Sequence, residues 1–339
     1  MSIFSSSAPD FKISEIKTIS LNEYGLKVIV KKLDSDRDQN FHLFTLSGDQ
    51  FVLKIYNSSE DIDIIDLHTN VLYHLEKQHH RFIKTPIVIK TLGNKRTGEI
   101  IKENQTYRFR LVSYIEGYQL KDIKKNKISF YDLGLFIANI LKMLSSLEDW
   151  RAKRDFPWDV GNINFVLNNY SKLNNKNKEK LIDYYIGHYH NRLMPLTKNL
   201  RKGIIHNDYN DHNIILDSKN NFKGVIDFGD LVYTYLSAEP AICIAYAVLG
   251  SNDPFEVAAN ILKGFESFYH LSDEEIESVI YLSCMRLCIS VIMANYRANL
   301  FPNNDYLMIS NEEAWSFLEY MYTQDILKWS RDLVQYVRA

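Results

Sequence analysis

The segment Ile204–Asp230 reads IIHNDYNDHNIILDSKNNFKGVIDFGD, and its spacing decides how the rest of the chain is interpreted. The pattern H-x-D-x-x-x-x-N occurs at His206, Asp208 and Asn213, and the triplet D-F-G begins fourteen residues after Asn213, at Asp227. Between them lie two short apolar runs, separated by turn-forming residues at 217–221. This pattern predicts a β-hairpin that places Asn213 and Asp227 opposite each other at its open end.

The residue types at that open end point to a chemistry. Two carboxylates and one amide are expected to converge there, from Asp208, Asn213 and Asp227. Phosphoryl transfer needs such a set, because oxygen ligands hold Mg²⁺ and a carboxylate orients and deprotonates the attacking hydroxyl. The spacing matches that of the catalytic loop and D-F-G triplet of kinases. A His two residues before the Asp more often holds the loop by hydrogen bonds, so His206 is predicted to be structural.

Length and composition limit the classes of protein that fit. The chain has 339 residues, which predicts two domains or lobes, and 46% hydrophobic residues, which suffices for a sizeable core. A net charge of −2 gives no reason to expect nucleic acid or an anionic membrane as partner. No apolar run approaches the length of a membrane span, and the first twelve residues lack the features of a secretion signal. Three cysteines without metal-site spacing are expected to be buried thiols, which indicates a cytoplasmic protein.

The first third of the chain reads as strands with one helix. Strands are predicted at 25–33, 41–46, 51–56, 86–89, 99–102 and 107–115, and a helix at 61–78. Lys54 lies inside an apolar strand and needs a partner, for which a nucleotide phosphate or the helix residue Asp66 is a candidate. The loop 34–40, which ends at Asn40, contains no glycine, so backbone contacts to the phosphates must come from polar turn residues or be weaker. This observation argues against a protein kinase and leaves small-molecule kinases open.

A boundary is predicted where the strand pattern ends. Glu116-Gly117 interrupts it, so residues 1–115 are predicted to form a nucleotide-binding lobe and residues 116–339 a lobe with the catalytic loop, the metal and the acceptor. Backbone groups of Ser113, Tyr114 and Ile115, just before the boundary, could contact a purine edge. The second lobe is predicted to be almost entirely helical apart from the hairpin, with a capping box at 272–275 that starts a long helix. The fold class is therefore α+β.

The whole pattern resembles the aminoglycoside phosphotransferase and choline kinase superfamily, and within it most closely the hydroxylysine kinases. The resemblance covers most of the chain and is carried by DRDQNFHL (36–43), IDLHTNVLYHL (65–75), HNDYNDHNIIL (206–216), GVIDFGD (224–230) and FPNNDYLMIS (301–310). It implies a protein-kinase-like fold of two lobes. It also implies transfer of the γ-phosphoryl group of ATP or GTP, with Mg²⁺, to the hydroxyl of a small amino acid or amino alcohol.

The resemblance also implies roles for individual residues. Asp208 corresponds to the catalytic base, and Asn213 and Asp227 to the Mg²⁺ ligands. Lys54 corresponds to the lysine that contacts the nucleotide phosphates, with Asp66 in the position of its acidic partner. Asn207 stands where the superfamily usually has glycine, and asparagine tolerates left-handed backbone better than most residues do.

Candidate acceptor contacts come from the second lobe. A cationic acceptor requires carboxylates, for which Asp230 and Glu239 are candidates, although a glutamate at a helix start also stabilises the helix N-terminus. Arg286 interrupts an apolar helix and would suit a substrate carboxylate, or would pair with a structural acid. Tyr233 and Trp158 could pack on the acceptor or belong to the core.

Two alternatives to a hydroxylysine-like acceptor stay open at the level of sequence. The first keeps the chemistry and changes the acceptor to an aminoglycoside, choline or homoserine. The second is a catalytically inactive kinase fold that serves as a binding module, although such proteins usually lose the base, a metal ligand or the lysine.

Overall fold

The computed structural model describes residues 6–35, 37–301 and 311–339. Asp36, and most of the stretch 301–310 that contributes to the family resemblance, lie outside the described residues. The chain divides into two compact units, Met1–Glu116 and Gly117–Ala339, beside a boundary predicted after residue 115.

The first unit is built on one antiparallel sheet whose backbone pairs order the strands β1-β2-β3-β6-β4, with β5 beside β6. The strands are β1 (Val28–Leu33), β2 (Gln39–Thr45), β3 (Gln50–Ile55), β4 (Val88–Ile89), β5 (Gly98–Lys102) and β6 (Gln105–Ser113). The helices of this unit are α1 (Ile13–Tyr24) and α2 (Ile62–Lys77). The fold-class prediction of a small antiparallel lobe is confirmed, but the prediction of a single helix is wrong, because α1 precedes the sheet.

The first strand begins later than predicted because helix α1 and its cap occupy the residues before it. Gly25 adopts the left-handed conformation with φ of 70° and caps α1, so the strand predicted from residue 25 begins at Val28. Ile16 and Ile19 of α1 are buried in the same core as Leu53 of the sheet. Burial of such side chains stabilises the unit by roughly 1.5–3 kcal/mol each. The helix is therefore part of this unit's core.

The second unit is mostly helical, as predicted. Its helices are α3 (Phe130–Leu144), α4 (Asn164–Asn169), α5 (Lys176–His188), α6 (Met194–Leu196), α7 (Ala238–Ala247), α8 (Pro254–Glu266), α9 (Asp273–Leu300), α10 (Asn311–Thr323) and α11 (Ile326–Arg338). Its strands are β7 (Tyr118–Gln119), β8 (Lys202–Ile205), β9 (Ile214–Leu216), β10 (Phe222–Val225) and β11 (Val232–Tyr235). The predicted hairpin is β9 and β10, and β7 adds a third strand beside β9. The pair formed by β8 and β11 was not predicted from the sequence.

Helix α9 is the core of this unit. Its predicted capping box is present, since Ser272 and Glu275 exchange hydrogen bonds between side chain and backbone. Among the residues that the structure describes, α9 is the one helix long and apolar enough to cross a membrane, but 89% of its most apolar window is buried inside the protein. Core helices of water-soluble proteins pass the same test, so α9 is weak evidence for a membrane span. The three cysteines, Cys243, Cys284 and Cys288, are buried free thiols, as predicted.

Helices α3 and α8 pack unusually closely because each presents a glycine to the other. A Cβ atom on Gly134 would lie 1.9 Å from the carbonyl oxygen of Ile261, and one on Gly264 would lie 1.9 Å from that of Tyr131. Such distances are impossible for real atoms, so even alanine at either position would force the helices apart.

Candidate active site

The catalytic loop begins where β8 ends, at His206. The side chain of His206 is completely buried, its Nε2 donates to the carbonyl oxygen of Ile226 at 3.1 Å, and its Nδ1 accepts the backbone N–H of Asp208 at 3.2 Å. These two contacts require a neutral ring with the proton on Nε2. Burial lowers the pKa of His206 to about 4, so the ring is neutral at physiological pH. His206 therefore holds the loop against β10, the structural role predicted for it.

Asn207 makes the turn that follows. Its φ of 68° is left-handed, which confirms that asparagine can occupy the position usually filled by glycine. Its side-chain amide donates to the carbonyl oxygen of Asp230 at 3.0 Å and to that of Trp158 at 3.5 Å. Its Oδ1 is buried and has no hydrogen-bond partner among the described residues. Asn207 thus connects the catalytic loop to two other segments, which glycine has no side chain to do.

Glu239, at the start of α7, also stabilises the turn at Asn207. Its carboxylate accepts the backbone N–H groups of His206 (3.1 Å) and Asn207 (3.2 Å) and the hydroxyl of Tyr209 (3.1 Å). Glu239 is completely buried, and burial raises its pKa to about 7 despite the three donors. Because the side chain is engaged and inaccessible, the prediction that Glu239 binds the acceptor is corrected: it shapes the catalytic loop instead.

The carboxylate of Asp208 is held by donors on both oxygens. Its Oδ2 accepts the amide of Asn213 at 2.7 Å, and Asn210 donates to both oxygens at 3.0 and 3.1 Å. Its Oδ1 also accepts Nη2 of Arg286 at 3.0 Å. Burial and the charges of Asp230 and Asp227 raise the pKa of Asp208, while Arg286 opposes the shift. The carboxylate is therefore fixed in orientation and more basic than an exposed aspartate.

Asn213 and Asp227 flank the open end of the hairpin. The backbone N–H of Ile226 donates to the carbonyl oxygen of Asn213 at 2.9 Å, which brings the residues before β9 and after β10 together. Asp227 is left-handed, with φ of 57°, and its Oδ1 accepts the N–H of Gly229 at 3.1 Å. Arg154 donates to the carbonyl oxygen of Gly229 at 3.0 Å. The D-F-G segment is thus fixed by its own turn and by an arginine from another segment.

The donor set at this end suits Mg²⁺. No group of three or more His, Cys, Asp or Glu side chains forms a metal-binding cluster within the described ranges. Mg²⁺ does not require one, because it usually takes one or two protein carboxylates and completes its shell with substrate phosphates and water. Asn213 turns its amide nitrogen to Asp208, so that its Oδ1 is the end of the amide left for a cation. Asn213 and Asp227 are the residues that would hold the ion.

In the first unit the partner of Lys54 differs from the predicted one. Lys54 Nζ lies 2.9 Å from Oδ2 of Asp38, and both side chains are largely buried. Asp38 also accepts the backbone N–H of Asn57 at 2.9 Å through Oδ1. The assignment of Asp66 to this role is therefore corrected. Asp66 lies on α2, whereas Asp38 immediately precedes β2, the strand paired with the one that carries Lys54.

The other predicted nucleotide contacts lie on the same sheet. Asn40 is the register partner of Lys54 on β2, and its Oδ1 is buried with no hydrogen-bond partner among the described residues. Ser113 and Tyr114 donate their N–H groups within the unit, to the carbonyl oxygens of Ile87 and Gln50. Ile115 is the one of the three whose N–H forms no hydrogen bond with the described residues. Of the three residues, Ile115 is therefore the one whose backbone N–H could donate to a purine edge.

The remaining acceptor candidates fall into two groups. Asp230 is 7% exposed and close enough to Asp208 for its charge to act there, and the ring of Trp158 is partly accessible. Tyr233 is exposed on β11, with Lys153 Nζ 4.8 Å from its ring centroid. Arg286, by contrast, is 1% exposed and contacts protein groups, so the prediction that it binds a substrate carboxylate is corrected.

Three site residues were not found from the sequence. Asp38 lay within a run of polar residues that offered several acids at similar distances from Lys54. Asn210 sits inside the catalytic pattern at a position that the pattern leaves variable. Tyr246, whose hydroxyl accepts Nε of Arg286 at 3.0 Å, looked like one more aromatic residue on an apolar helix. Asn210 alone carried a usable signal, because an amide two residues after a catalytic aspartate can reach back to it.

Comparisons with known proteins agree with this geometry. The model of a phosphotransferase enzyme family matches residues 29–276. A hydroxylysine kinase from Xenopus laevis is 30% identical over 91% of this chain and 90% of its own length. The hydroxylysine kinase of Mus musculus is 27% identical over 94% of this chain and 91% of its own length.

A solved structure shows the same fold at low sequence identity. An amicoumacin kinase, solved with AMP-PNP, Ca²⁺ and its ligand, has a TM-score of 0.69 at 14% identity and covers 94% of this chain and 97% of its own. The fold prediction of a protein-kinase-like phosphotransferase is thereby confirmed. With a family model spanning most of the sequence and relatives aligned along almost their full length, the chain belongs to the phosphotransferase enzyme family.

Proposed function

We propose that this protein transfers the γ-phosphoryl group of ATP or GTP to the hydroxyl of 5-hydroxylysine or a closely related amino alcohol. The observation that carries the proposal is the Asp208 carboxylate, whose side chain is 17% exposed and is held by Asn213 at the end of the hairpin that also carries Asp227. Full-length similarity to hydroxylysine kinases supports the choice of acceptor. The protein is proposed to act in the cytoplasm, which fits its three buried free thiols.

Asp208 is the proposed catalytic base. The acceptor hydroxyl would donate its proton to Asp208 as its oxygen attacks the γ-phosphorus, and the leaving nucleoside diphosphate would depart on the opposite side. The donors on both oxygens fix the carboxylate, so little of its rotational freedom is lost when the acceptor binds. Mg²⁺, held by Asn213 and Asp227, neutralises charge on the phosphates when it is bound.

Lys54 is the proposed second positive charge on the phosphates, and Asn40 and Ile115 are proposed to contact the nucleotide from β2 and from the end of the sheet. Asp38 keeps the Lys54 amine in one place through its ion pair. The amine can approach a phosphate without first being ordered, because its position is already restricted.

The charges near Asp208 favour a cationic acceptor. The carboxylates of Asp227 and Asp230 both raise the pKa of Asp208, whereas Arg286 is the cation that contacts it among the described residues. A ligand carrying ammonium groups reduces this excess of negative charge. Asp230, Trp158 and Tyr233 are the residues proposed to contact the acceptor, since an ammonium group can also bind the face of an aromatic ring.

An acceptor panel tests the proposal. The purified protein with Mg²⁺ and either ATP or GTP is offered 5-hydroxylysine, choline, homoserine, ethanolamine and kanamycin, and phosphorylated products are quantified by mass spectrometry. We expect the highest kcat/KM with 5-hydroxylysine. A higher value with choline, homoserine or kanamycin would replace the acceptor, and no product from any member, together with no nucleotide-dependent rise in Tm, would indicate an inactive binding module.

A further inference from the structure

Arg286 occupies a position that is costly for a charged side chain. It lies in the middle of α9, between Met285 and Leu287, and is 1% exposed. A buried guanidinium destabilises a protein unless its N–H groups are satisfied, and removal of one partner of such a pair is strongly destabilising. The presence of the Arg286 guanidinium at this position therefore needs a specific structural or functional reason.

The guanidinium is held from three directions by residues distant in sequence. Nε donates to the hydroxyl of Tyr246 at 3.0 Å, Nη1 to the carbonyl oxygen of Trp158 at 3.1 Å, and Nη2 to Oδ1 of Asp208 at 3.0 Å. The guanidinium carbon also lies 4.5 Å from the centroid of the Trp158 ring. Because the group is planar, three contacts in different directions fix its orientation completely.

Asp208 receives its other donors from its own loop. Asn213 and Asn210 belong to the same turn as Asp208 and contact Oδ2 or both oxygens. Arg286 is the contact on Oδ1 that comes from a rigid core helix rather than from the turn. Oδ2 is therefore held by the turn, whereas Oδ1 is held by both the turn and α9.

We infer that Arg286 is a positioning residue for the catalytic carboxylate: it ties the rotation of Asp208 to helix α9 and does not contact the acceptor. The inference rests on the proposed function, since only there is Asp208 the base. Trp158 and Tyr246 contribute to the same positioning, because they orient the Arg286 guanidinium that orients the Asp208 carboxylate.

The test compares Arg286→Met and Arg286→Lys with a matched control on the same helix. Arg297 is also buried in α9, at 3% exposure, and the structure records no contact between it and Asp208, so Arg297→Met measures the cost of removing a guanidinium from this helix. Each variant is assayed with 5-hydroxylysine and with its decarboxylated analogue, 1,5-diaminopentan-2-ol. Tm values show whether each variant is folded.

A positioning role predicts a specific kinetic pattern. Arg286→Met should lower kcat about 100-fold for both acceptors, since a misplaced catalytic group costs about that much, with each KM within about twofold of wild type. Arg286→Lys should fall between wild type and Arg286→Met, because an ammonium keeps the charge without the planar contacts. A rise in KM confined to the carboxylated acceptor would overturn the inference, as would a loss no larger than that of Arg297→Met.

A double variant separates this inference from the proposed function. If Arg286 acts through Asp208, Arg286→Met should cost less than about twofold in kcat when added to Asp208→Asn, because residues that act as a unit are not additive. If the kcat losses of the two single variants multiply in the double variant, the positioning role of Arg286 is refuted, whereas the assignment of Asp208 as the base stands. Unchanged turnover in Asp208→Asn alone, or a wild-type protein that phosphorylates no acceptor, would overturn both. Arg286→Lys decides the outcome if Arg286→Met does not fold.

Discussion

The side-chain amide of Asn207 donates to the backbone carbonyl oxygen of Asp230 across 3.0 Å, which joins the turn before Asp208, the proposed base, to the end of the D-F-G segment. Asn207 does this from a left-handed backbone, with φ of 68°. The residue therefore replaces the flexibility of glycine with a hydrogen bond.

Replacement of Asn207 distinguishes backbone conformation from hydrogen bonding. Asn207→Gly relieves the left-handed strain and removes a buried unpartnered oxygen while it loses the bond to Asp230, so the free energy of unfolding should change by no more than about 1 kcal/mol. Asn207→Ala loses the bond and keeps the strain, and should be less stable than Asn207→Gly by about 1–2 kcal/mol. Denaturant unfolding measures both, and equal stability of the two variants would contradict the strain argument.

Removal of the proposed base should abolish most of the turnover. Asp208→Ala is expected to lower kcat by roughly 10²–10⁴, the range for a lost general base. Asp211→Ala is the control, because Asp211 lies in the same loop and its side chain is 51% exposed. Near-wild-type turnover of Asp208→Ala at saturating acceptor would exclude Asp208 as the base.

Replacement of Asp38 and replacement of Asp66 should have different effects on kcat/KM for the nucleotide. Asp38→Asn removes the ion pair of Lys54, and a lost charged hydrogen bond of about 1.5–3 kcal/mol corresponds to a roughly tenfold or larger loss in kcat/KM for the nucleotide. Asp66→Asn is expected to leave that value within about twofold. Steady-state kinetics with varied nucleotide measure both, and the reverse order of the two effects would restore Asp66 as the partner.

Glu239 should affect stability and turnover without acceptor selectivity. Glu239→Gln puts an amide N–H where the carboxylate accepts three donors, which should cost about 1–3 kcal/mol of unfolding free energy and lower kcat. KM for the acceptor should hold within about twofold, because the side chain is completely buried. A variant of normal stability whose KM rises only for cationic acceptors would return Glu239 to the acceptor site.

His206 predicts a loss of stability in acid. Its pKa falls from an ordinary 6.5 to about 4 in the folded chain, so the native state prefers the neutral ring and the unfolded state takes up the proton first. The contribution of the neutral His206 ring to the free energy of unfolding is therefore complete above pH 6.5. It is lost as the pH falls toward 4, by up to about 3 kcal/mol. His206→Gln should not show this loss of stability in acid. His190→Gln, at an exposed position, should still show it. Denaturant unfolding at pH 7 and pH 4.5 gives the difference, and parallel curves for wild type and His206→Gln would contradict it.

The sequence was most informative where the necessary contacts are local. The hairpin and its turn follow from apolar runs and turn residues within 27 positions, and the structure pairs β9 with β10 accordingly. The capping box of α9 is also local and is present. Helix α1 was not predicted, because its apolar pattern is short and only four of its twelve residues are buried.

Contacts between distant segments were harder to predict. An arginine in an apolar helix indicates burial, but nothing in the pattern says which loop it faces, so the contact between Arg286 and Asp208 emerged only from the packing of α9. The same limit applies to Lys54. Its charge required an acid, and Asp66 on a predicted helix was as plausible as Asp38 until the register of β2 and β3 was known.

The ion pair between Lys54 and Asp38 has a consequence for control of the enzyme. In protein kinases the lysine that contacts the nucleotide phosphates pairs with a carboxylate on the helix of the small lobe, and regulation operates by moving that helix. Here the acid that holds the lysine belongs to the segment leading into β2, so displacement of α2 would leave the pair intact.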